Sequence, residues 1–356
     1  MGTVGIISNQ VITMNIKSEN TVDFGVSVGK DELDNDLVIN IPKLSHLLIG
    51  GVDGSGKSNL LHRIIATLSS CISPQELKLI LIDPKKIELN MYNHLPHLLT
   101  PVITDPKKTI LALKWAGKEM DRRLGILQSE NVRDIEAYRE KGLKEDTMPN
   151  ILIVIDGLSE MIAVYPDEVE AVIARLSQTS HLVGIHLVLS TSRVANKVIT
   201  EPIKSGMPSR IAFKVQSASD SISILGTDGA ERLDTTGEIL FQSGNMKYPI
   251  CARLSPISDA EIAEKLKTIK ETFKEEAQSV IHPQSADDAF DIDDMYEEAR
   301  EATVASGKVS TSYLQRKLGV GYSRAAHLID MLEQKGVIGP ANGSKPREVI
   351  IQESVH

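Results

Sequence analysis

One stretch of the sequence combines residue types and a spacing that bind phosphate. Residues 51–58 read Gly-Val-Asp-Gly-Ser-Gly-Lys-Ser and fit the P-loop pattern G-x-x-x-x-G-K-[S/T]. The glycines let successive backbone N–H groups point at phosphate oxygens, Lys57 reaches the β- and γ-phosphates, and the Ser58 hydroxyl ligates Mg²⁺. The residues predicted to bind ATP and Mg²⁺ are Gly51, Val52, Asp53, Gly54, Ser55, Gly56, Lys57, Ser58 and Asn59.

The flanking segments supply the elements that such a loop needs. An apolar run at 44–49 predicts a buried strand before the loop, and residues 59–68 predict a helix after it. A glycine-rich turn can also join a strand to a helix by chance. The full match to the pattern between a strand and a helix favours the phosphate site.

A second chemical signal is an acid at the end of an apolar run. Residues 151–155 are all apolar and precede Asp156, which is typical of a Walker B strand whose carboxylate supports Mg²⁺. Similar runs end in Asp83 and in Arg193. Because ligands bind outside the carboxyl ends of parallel strands, we expect these ends near the nucleotide. His186 lies inside its run and is expected to be a core histidine.

Composition and charge set broad limits on the function. Of the 356 residues, 41% are apolar and 24% charged, as in soluble globular proteins, and the length predicts about two or three domains. The two cysteines, Cys71 and Cys251, have no metal-type spacing and fit a reducing cytoplasm. No run approaches the roughly 18 apolar residues of a membrane helix, so we expect a cytoplasmic chain without a membrane segment. The net charge of −9 argues only weakly against nucleic-acid binding, because a whole-chain sum hides local patches.

The order of strand and helix patterns predicts the architecture. Strand-like runs alternate with helical patterns from about 41 to 255, which indicates an α/β fold with a mainly parallel sheet. In one of these helices Arg122, Arg123 and Arg133 are expected on a solvated face. The predicted segments are a small β-rich lead-in at 1–40, a P-loop nucleotide-binding domain at 41–282, an acidic linker at 283–295 and a separate small domain at 296–356.

The C-terminal segment has the pattern of a winged helix. Helices are expected at 296–305, 310–317 and 322–335, followed by a hairpin, and the last helix of such a domain enters the DNA major groove. Between residues 303 and 350, seven residues are basic and three acidic, which favours contact with phosphates. A winged helix that binds protein is the alternative. The residues predicted to contact DNA are Arg316, Tyr322, Ser323, Arg324, His327, Lys345 and Arg347.

Strings in both parts of the chain resemble the FtsK/SpoIIIE family of bacterial DNA translocases. Residues 82–89, Ile-Asp-Pro-Lys-Lys-Ile-Glu-Leu, and 95–99, Leu-Pro-His-Leu-Leu, are nearly identical to family strings. Residues 321–326, Gly-Tyr-Ser-Arg-Ala-Ala, resemble the family's γ domain, a winged helix that reads short orienting DNA sequences. Further matching strings lie at 29–31, 44–50, 174–178, 184–189, 208–213, 220–221, 229–231, 314–316 and 343–349.

The resemblance implies a RecA-like P-loop motor that assembles as a homo-oligomeric ring, usually a hexamer, around double-stranded DNA. ATP hydrolysis at subunit interfaces then drives translocation, with Lys57 and Asp156 in the active site and Arg193 or Arg210 serving a neighbouring one. The family's membrane spans and long linkers have no counterpart among these residues, so the resemblance implies a motor-plus-γ piece.

Three positions depart from the family pattern. Gly157 stands where the family has the Walker B Glu that polarises the attacking water, and Glu160 aligns with a different family acid. Ser192 replaces a Gln beside the γ-phosphate, and Ile222 replaces an Arg of the interface. Losing such a group can lower the rate by on the order of 10³. Two hypotheses therefore stand: an active, divergent translocase that moves or segregates DNA, and an ATP- and DNA-binding paralogue with impaired hydrolysis that acts as a clamp, regulator or inactive ring subunit.

Overall fold

The chain folds into two units, residues 1–289 and 290–356. The predicted lead-in up to residue 23 and nearly all of the predicted linker lie outside the residues that the structure describes. The computed structural model describes residues 24–142, 148–194, 197–233, 237–244, 246–274, 295–334, 337–340 and 347–350.

A nine-stranded sheet forms the centre of the first unit. Its strands are β1 Gly25–Lys30, β2 Asp36–Asn40, β3 Leu47–Gly50, β4 Leu77–Ile82, β5 Asn150–Asp156, β6 Ile185–Thr191, β7 Ser209–Ala212, β8 Glu238–Gln242 and β9 Ile250–Arg253. They lie in the order β2-β1-β9-β8-β7-β3-β6-β5-β4. The strands from β7 to β4 in this order are parallel, and the remaining strands continue the sheet in antiparallel pairs.

Helices connect the strands of the first unit. They are α1 Ile41–Leu44, α2 Lys57–Cys71, α3 Pro106–Ser129, α4 Ile135–Glu140, α5 Leu158–Val164, α6 Pro166–Thr179, α7 Glu201–Gly206, α8 Ala218–Leu225 and α9 Asp259–Thr272. Local caps define where they start: the Asp105 carboxylate accepts two backbone N–H bonds at the start of α3, and Ser258 and Glu261 form a reciprocal capping box for α9. None of the helices in the described residues has the length and hydropathy that a bilayer span requires.

The central strands of the sheet are buried on both faces. Every residue of β5 and β6 is buried, as are all apolar residues of β3 and β4. This burial explains why their sequences are continuous apolar runs rather than alternating ones. The predicted α/β fold with a mainly parallel sheet is confirmed, and residues 25–40 of the predicted lead-in contribute to that same sheet the edge strand β2 and its neighbour β1.

The register of the parallel strands brings three functional segments to one edge. β6 lies between β3 and β5, where Gly50 pairs with Thr191 and Asp156 pairs with Ser190. The P-loop follows β3 directly, so it lies beside the end of β6. Asp156, at the end of β5, lies on the other side of β6. This carboxyl edge is where parallel α/β sheets bind ligands.

The second unit is a helix–turn–helix with a two-stranded ribbon. Its elements are α10 Tyr296–Ser306, β10 Lys308–Val309, α11 Thr311–Leu318, α12 Tyr322–Gln334 and β11 Arg347–Glu348. Leu314 and Leu328 are fully buried in its apolar core, and β10 pairs with β11. The predicted winged helix is confirmed, although residues 341–346 of its hairpin lie outside the described residues.

Candidate functional site

The P-loop turns tightly between β3 and α2. Gly56 is the N-cap of α2 and has a φ of +116°, in the left-handed region that glycine favours. A Cβ at this position would lie 2.9 Å from the Phe213 ring, so a larger residue would force the loop to shift. Because α2 begins at Lys57, the unsatisfied N–H groups of its first turn lie at the loop. The loop therefore has the backbone geometry of an anion site.

Lys57 lies across this loop. Its ammonium donates hydrogen bonds of 2.8 Å to the carbonyl oxygens of both Gly51 and Val52, and the side chain is buried. Burial lowers the pKa of Lys57, while the carboxylates of Asp53 and Asp156 act against this shift. The Lys57 ammonium is thus a partly desolvated cation on the P-loop. Charged phosphate oxygens would be stronger hydrogen-bond acceptors for it than the two neutral carbonyls.

Asp156 and Ser58 offer oxygen ligands at the same place. Asp156 ends β5, is buried, and its Oδ1 accepts a hydrogen bond of 3.0 Å from the Ser190 hydroxyl. Burial raises the pKa of Asp156, while the Ser190 hydrogen bond and the charge of Lys85 oppose that shift. A carboxylate and a hydroxyl are the hard oxygen donors that Mg²⁺ takes beside phosphate. The donor set of Ser58 and Asp156 therefore fits the predicted metal.

The structure brings Lys85 and Glu160 to this site, although neither is among the predicted site residues. The Lys85 ammonium lies 3.4 Å from Glu160 Oε1 and 4.0 Å from Asp53 Oδ1 of the P-loop. The loop that carries Lys85 is folded by Asp83, whose carboxylate accepts three backbone N–H bonds. The only sequence signal was indirect: Asp83 and Asp156 each end an apolar run, and the carboxyl ends of parallel strands share one edge of the sheet.

The side chain of Asn59 makes a structural contact with the segment before α9. Its Nδ2 donates to the carbonyl oxygen of Ile257 at 3.0 Å, and its Oδ1 accepts from the N–H of Ile257 at 3.2 Å. Both polar atoms of the side chain thus tie α2 to the segment before α9. The cofactor contact of Asn59 stays a prediction.

The two arginines expected to serve a neighbouring subunit differ in their surroundings. Arg193 follows β6 and is exposed, and within the described residues its hydrogen bonds are backbone bonds to Thr191 Oγ1. Arg210 in β7 donates to three backbone carbonyl oxygens at distances between 2.8 and 3.1 Å. Arg210 is therefore engaged within its own unit, and Arg193 is the better candidate for reaching another subunit.

In the second unit the predicted DNA contacts fall into two groups. Arg316, Tyr322 and Arg324 are exposed on α11 and α12. Arg347 is largely buried and forms an ion pair with Glu333 of α12, which holds β11 against that helix; its DNA contact stays a prediction. Of the predicted DNA contacts, Lys345 and the side chains of Ser323 and His327 lie outside the described residues.

Comparison with known proteins matches both units. Residues 15–196 match the FtsK/SpoIIIE family, and residues 291–352 match the FtsK gamma domain. The DNA translocase FtsK of Caldanaerobacter subterraneus is 43% identical over 92% of this chain and 47% of its own length. The DNA translocase SpoIIIE of Bacillus subtilis is 38% identical over 92% of this chain and 43% of its own length. The chain thus spans about half the length of the curated relatives it matches.

Solved structures share the fold of the first unit at lower identity. The pCW3 conjugation coupling protein TcpA, in a monomer form with ATPγS, has a TM-score of 0.62 and 24% identity, covering 72% of each chain. EssC from Geobacillus thermodenitrificans has a TM-score of 0.63 and 21% identity, covering 76% of this chain and 52% of that one. The P-loop site, the parallel sheet edge and the two family matches agree, and the chain belongs to the FtsK/SpoIIIE family.

Proposed function

We propose that this chain is the motor and DNA-reading part of an ATP-dependent double-stranded DNA translocase that moves or segregates DNA. The observation that carries the proposal is the meeting of Lys57 and Asp156 at one sheet edge, in a chain that also has a γ winged helix. The curated relatives bear the name DNA translocase, which supports the same activity here.

In this proposal ATP binds at the P-loop with Mg²⁺. Lys57 exchanges its two carbonyl acceptors for oxygens of the β- and γ-phosphates, and the N–H groups of the first turn of α2 bind the same phosphates. Ser58 and Asp156 hold the metal, which neutralises charge that develops on the phosphates. Chelation of Mg²⁺ is expected to abolish turnover.

The winged helix makes the contact with duplex DNA. α12 is the second helix of its helix–turn–helix and carries the exposed Tyr322 and Arg324. A helix in this position enters the major groove, where an arginine binds guanine edges or phosphates. The winged helix thereby reads the sequences that orient the motor.

The motor acts in the cytoplasm as a homo-oligomeric ring of six subunits around the duplex. The exposed side chain of Arg193, which follows the strand next to Asp156, supports a site that a neighbouring subunit completes. Analytical ultracentrifugation with ATPγS and duplex DNA tests the ring. A chain that stays monomeric under these conditions would contradict it.

ATP turnover with and without duplex DNA tests the proposed activity. Duplex is expected to raise phosphate release strongly, and Lys57→Ala is expected to reduce it to background. The alternative, a chain that binds ATP and DNA without turnover, predicts equal rates for the intact chain and Lys57→Ala. That alternative depends on Gly157, and the named activity of the relatives does not support it.

A further inference from the structure

Gly157 leaves space beside Asp156 that another carboxylate fills. It is the N-cap of α5 and has a φ of +114°. The resemblance to the FtsK/SpoIIIE pattern implies a water-polarising Glu at this position. A Cβ built on Gly157 would lie 2.9 Å from Oε2 of Glu160. Glu160, in the first turn of α5, therefore places its carboxylate where a side chain at position 157 would begin.

Two contacts hold the Glu160 carboxylate in place, and one of them connects it to the phosphate loop. The Ser159 hydroxyl donates a hydrogen bond of 2.8 Å to Oε2, and the Lys85 ammonium lies 3.4 Å from Oε1. The same ammonium lies 4.0 Å from Asp53 Oδ1, so Lys85 links Glu160 to the P-loop. The Glu160 side chain is 30% exposed, which leaves it accessible to water.

We propose that Glu160 is the catalytic carboxylate that positions the attacking water in this ATPase, in place of the glutamate that Gly157 cannot supply. Lys85 is a positioning residue, because it fixes the Glu160 carboxylate beside the P-loop. This inference rests on the proposed ATP hydrolysis and assigns the group that activates its water.

The proposed step is a balanced hydrolysis. The water oxygen forms a bond to the γ-phosphorus, and the bond between that phosphorus and the β,γ-bridging oxygen breaks, with ADP taking the electron pair. Glu160 accepts a hydrogen bond from the water and then its proton, which passes to solvent as inorganic phosphate leaves. Lys57 stabilises the charge on the β- and γ-phosphate oxygens.

Two other acids at this edge are less suited to the role. Asp83 is fully buried, and its carboxylate is used by three backbone N–H bonds of the loop that follows β4. Glu88 lies with its Oε2 3.4 Å from Nε2 of His62 on α2. Neither of them occupies the space beside Gly157 or contacts the P-loop through Lys85.

The test measures ATP turnover and ATPγS affinity of the full chain with duplex DNA, for Glu160→Gln and the matched control Glu88→Gln. Glutamine keeps the size of Glu160 and cannot take a proton, so the kcat of Glu160→Gln is expected to fall by about 10²–10⁴-fold. Its affinity for ATPγS is expected to stay unchanged, and Glu160→Asp is expected to recover part of the turnover. Glu88→Gln is expected to keep both turnover and affinity.

Distinct results would overturn the assignment. Turnover of Glu160→Gln equal to that of the intact chain would exclude Glu160 as the base, as would an equal loss in Glu88→Gln. Loss of ATPγS affinity in parallel with turnover would make Glu160 a structural residue. If the intact chain turns over ATP no faster than Lys57→Ala, the proposed function itself fails. If the intact chain is active and Glu160→Gln is equally active, only the role assigned to Glu160 is contradicted.

Discussion

Arg123 is a charged residue whose side chain connects α3 to neighbouring segments in the core of the first unit. It lies in α3 with 2% of its surface exposed. Its Nε donates to Glu119 Oε1 at 2.7 Å, and its Nη1 donates to the carbonyl oxygens of Pro149 and Val183 at 2.8 and 2.9 Å. The expectation of a solvated face is wrong for Arg123, because these two carbonyls lie next to the starts of β5 and β6, outside the local helical pattern.

Arg123→Met is expected to lower the free energy of unfolding of the first unit by about 3–5 kcal/mol, because it removes the buried member of the Glu119 ion pair and leaves the carbonyl oxygens of Pro149 and Val183 without this donor. Urea unfolding followed by the fluorescence of Trp115, the single tryptophan, measures this change in α3. Arg122→Met is the matched control, since Arg122 also pairs with Glu119 but is 48% exposed. Its expected cost is about 0–1 kcal/mol. Equal losses in the two variants would contradict the buried role of Arg123.

At the scale of elements, two buried histidines join β6 to the segment before β3. His46 Nδ1 accepts from the N–H of Leu187 at 3.0 Å, and His186 Nδ1 donates to the carbonyl oxygen of Ser45 at 2.8 Å. Burial lowers the pKa of His46 to about 3 and that of His186 to about 4, and repulsion from neighbouring histidines, including His181, adds to both shifts. Both rings are therefore neutral in the folded unit near pH 7.

The stability of the first unit is expected to fall as the pH drops below 6.5, the ordinary pKa of histidine. The unfolded chain takes up protons there while the folded one does not, so acid favours unfolding. The contribution is complete above pH 6.5 and is lost toward pH 4 for His186 and pH 3 for His46, at roughly 1.4 kcal/mol per pH unit for each ring. In urea unfolding followed by the fluorescence of Trp115, His186→Gln is expected to reduce the slope of unfolding free energy against pH by about the contribution of one histidine ring. An unchanged slope would count against the two buried rings as its source.

The link between α2 and α9 also belongs to this scale. Asn59→Ala is expected to cost about 1–3 kcal/mol of stability, because it leaves the backbone groups of Ile257 without their partners. ATPγS affinity is expected to persist, since the side chain does not face the phosphate loop. Ser58→Ala provides the opposite control, with weaker Mg²⁺-dependent binding and little loss of stability. Thermal unfolding and calorimetric titration separate the two effects, and a stable Asn59→Ala that fails to bind ATPγS would contradict this structural role and support the predicted cofactor contact.

At the scale of the whole molecule, the sequence predicts those features whose residues are contiguous in the chain. The P-loop and Asp156 were found because their chemistry lies in contiguous residues at the ends of apolar runs. The antiparallel half of the sheet depends on pairings between distant segments, such as Lys30 with Arg253, which no local pattern specifies. The same limit applies to side chains whose partners are distant in sequence, namely Asn59, Lys85, Arg123, Arg210 and Arg347.

Charge is unevenly distributed along the chain, with a basic segment at 303–350 in a chain of net charge −9. Arg324→Ala is expected to weaken duplex binding and to reduce the slope of log affinity against log salt by about 1, because one phosphate or base contact is lost. Lys267→Ala, which removes one exposed positive charge from the first unit, is the matched control. Fluorescence anisotropy over a salt series measures both slopes. Identical binding by Arg324→Ala and the intact chain would remove α12 from the DNA interface.

Displacement of a third DNA strand tests ATP-driven movement most directly. A triplex-forming oligonucleotide is placed on a linear duplex, and its release by the full chain is timed with ATP, with ATPγS and with Lys57→Ala. Release is expected only with ATP and the intact Lys57, after a delay that grows with the distance from the loading site. A triplex that stays in place while Lys57-dependent hydrolysis proceeds would show that the chain uses ATP without moving along DNA, and would contradict translocation.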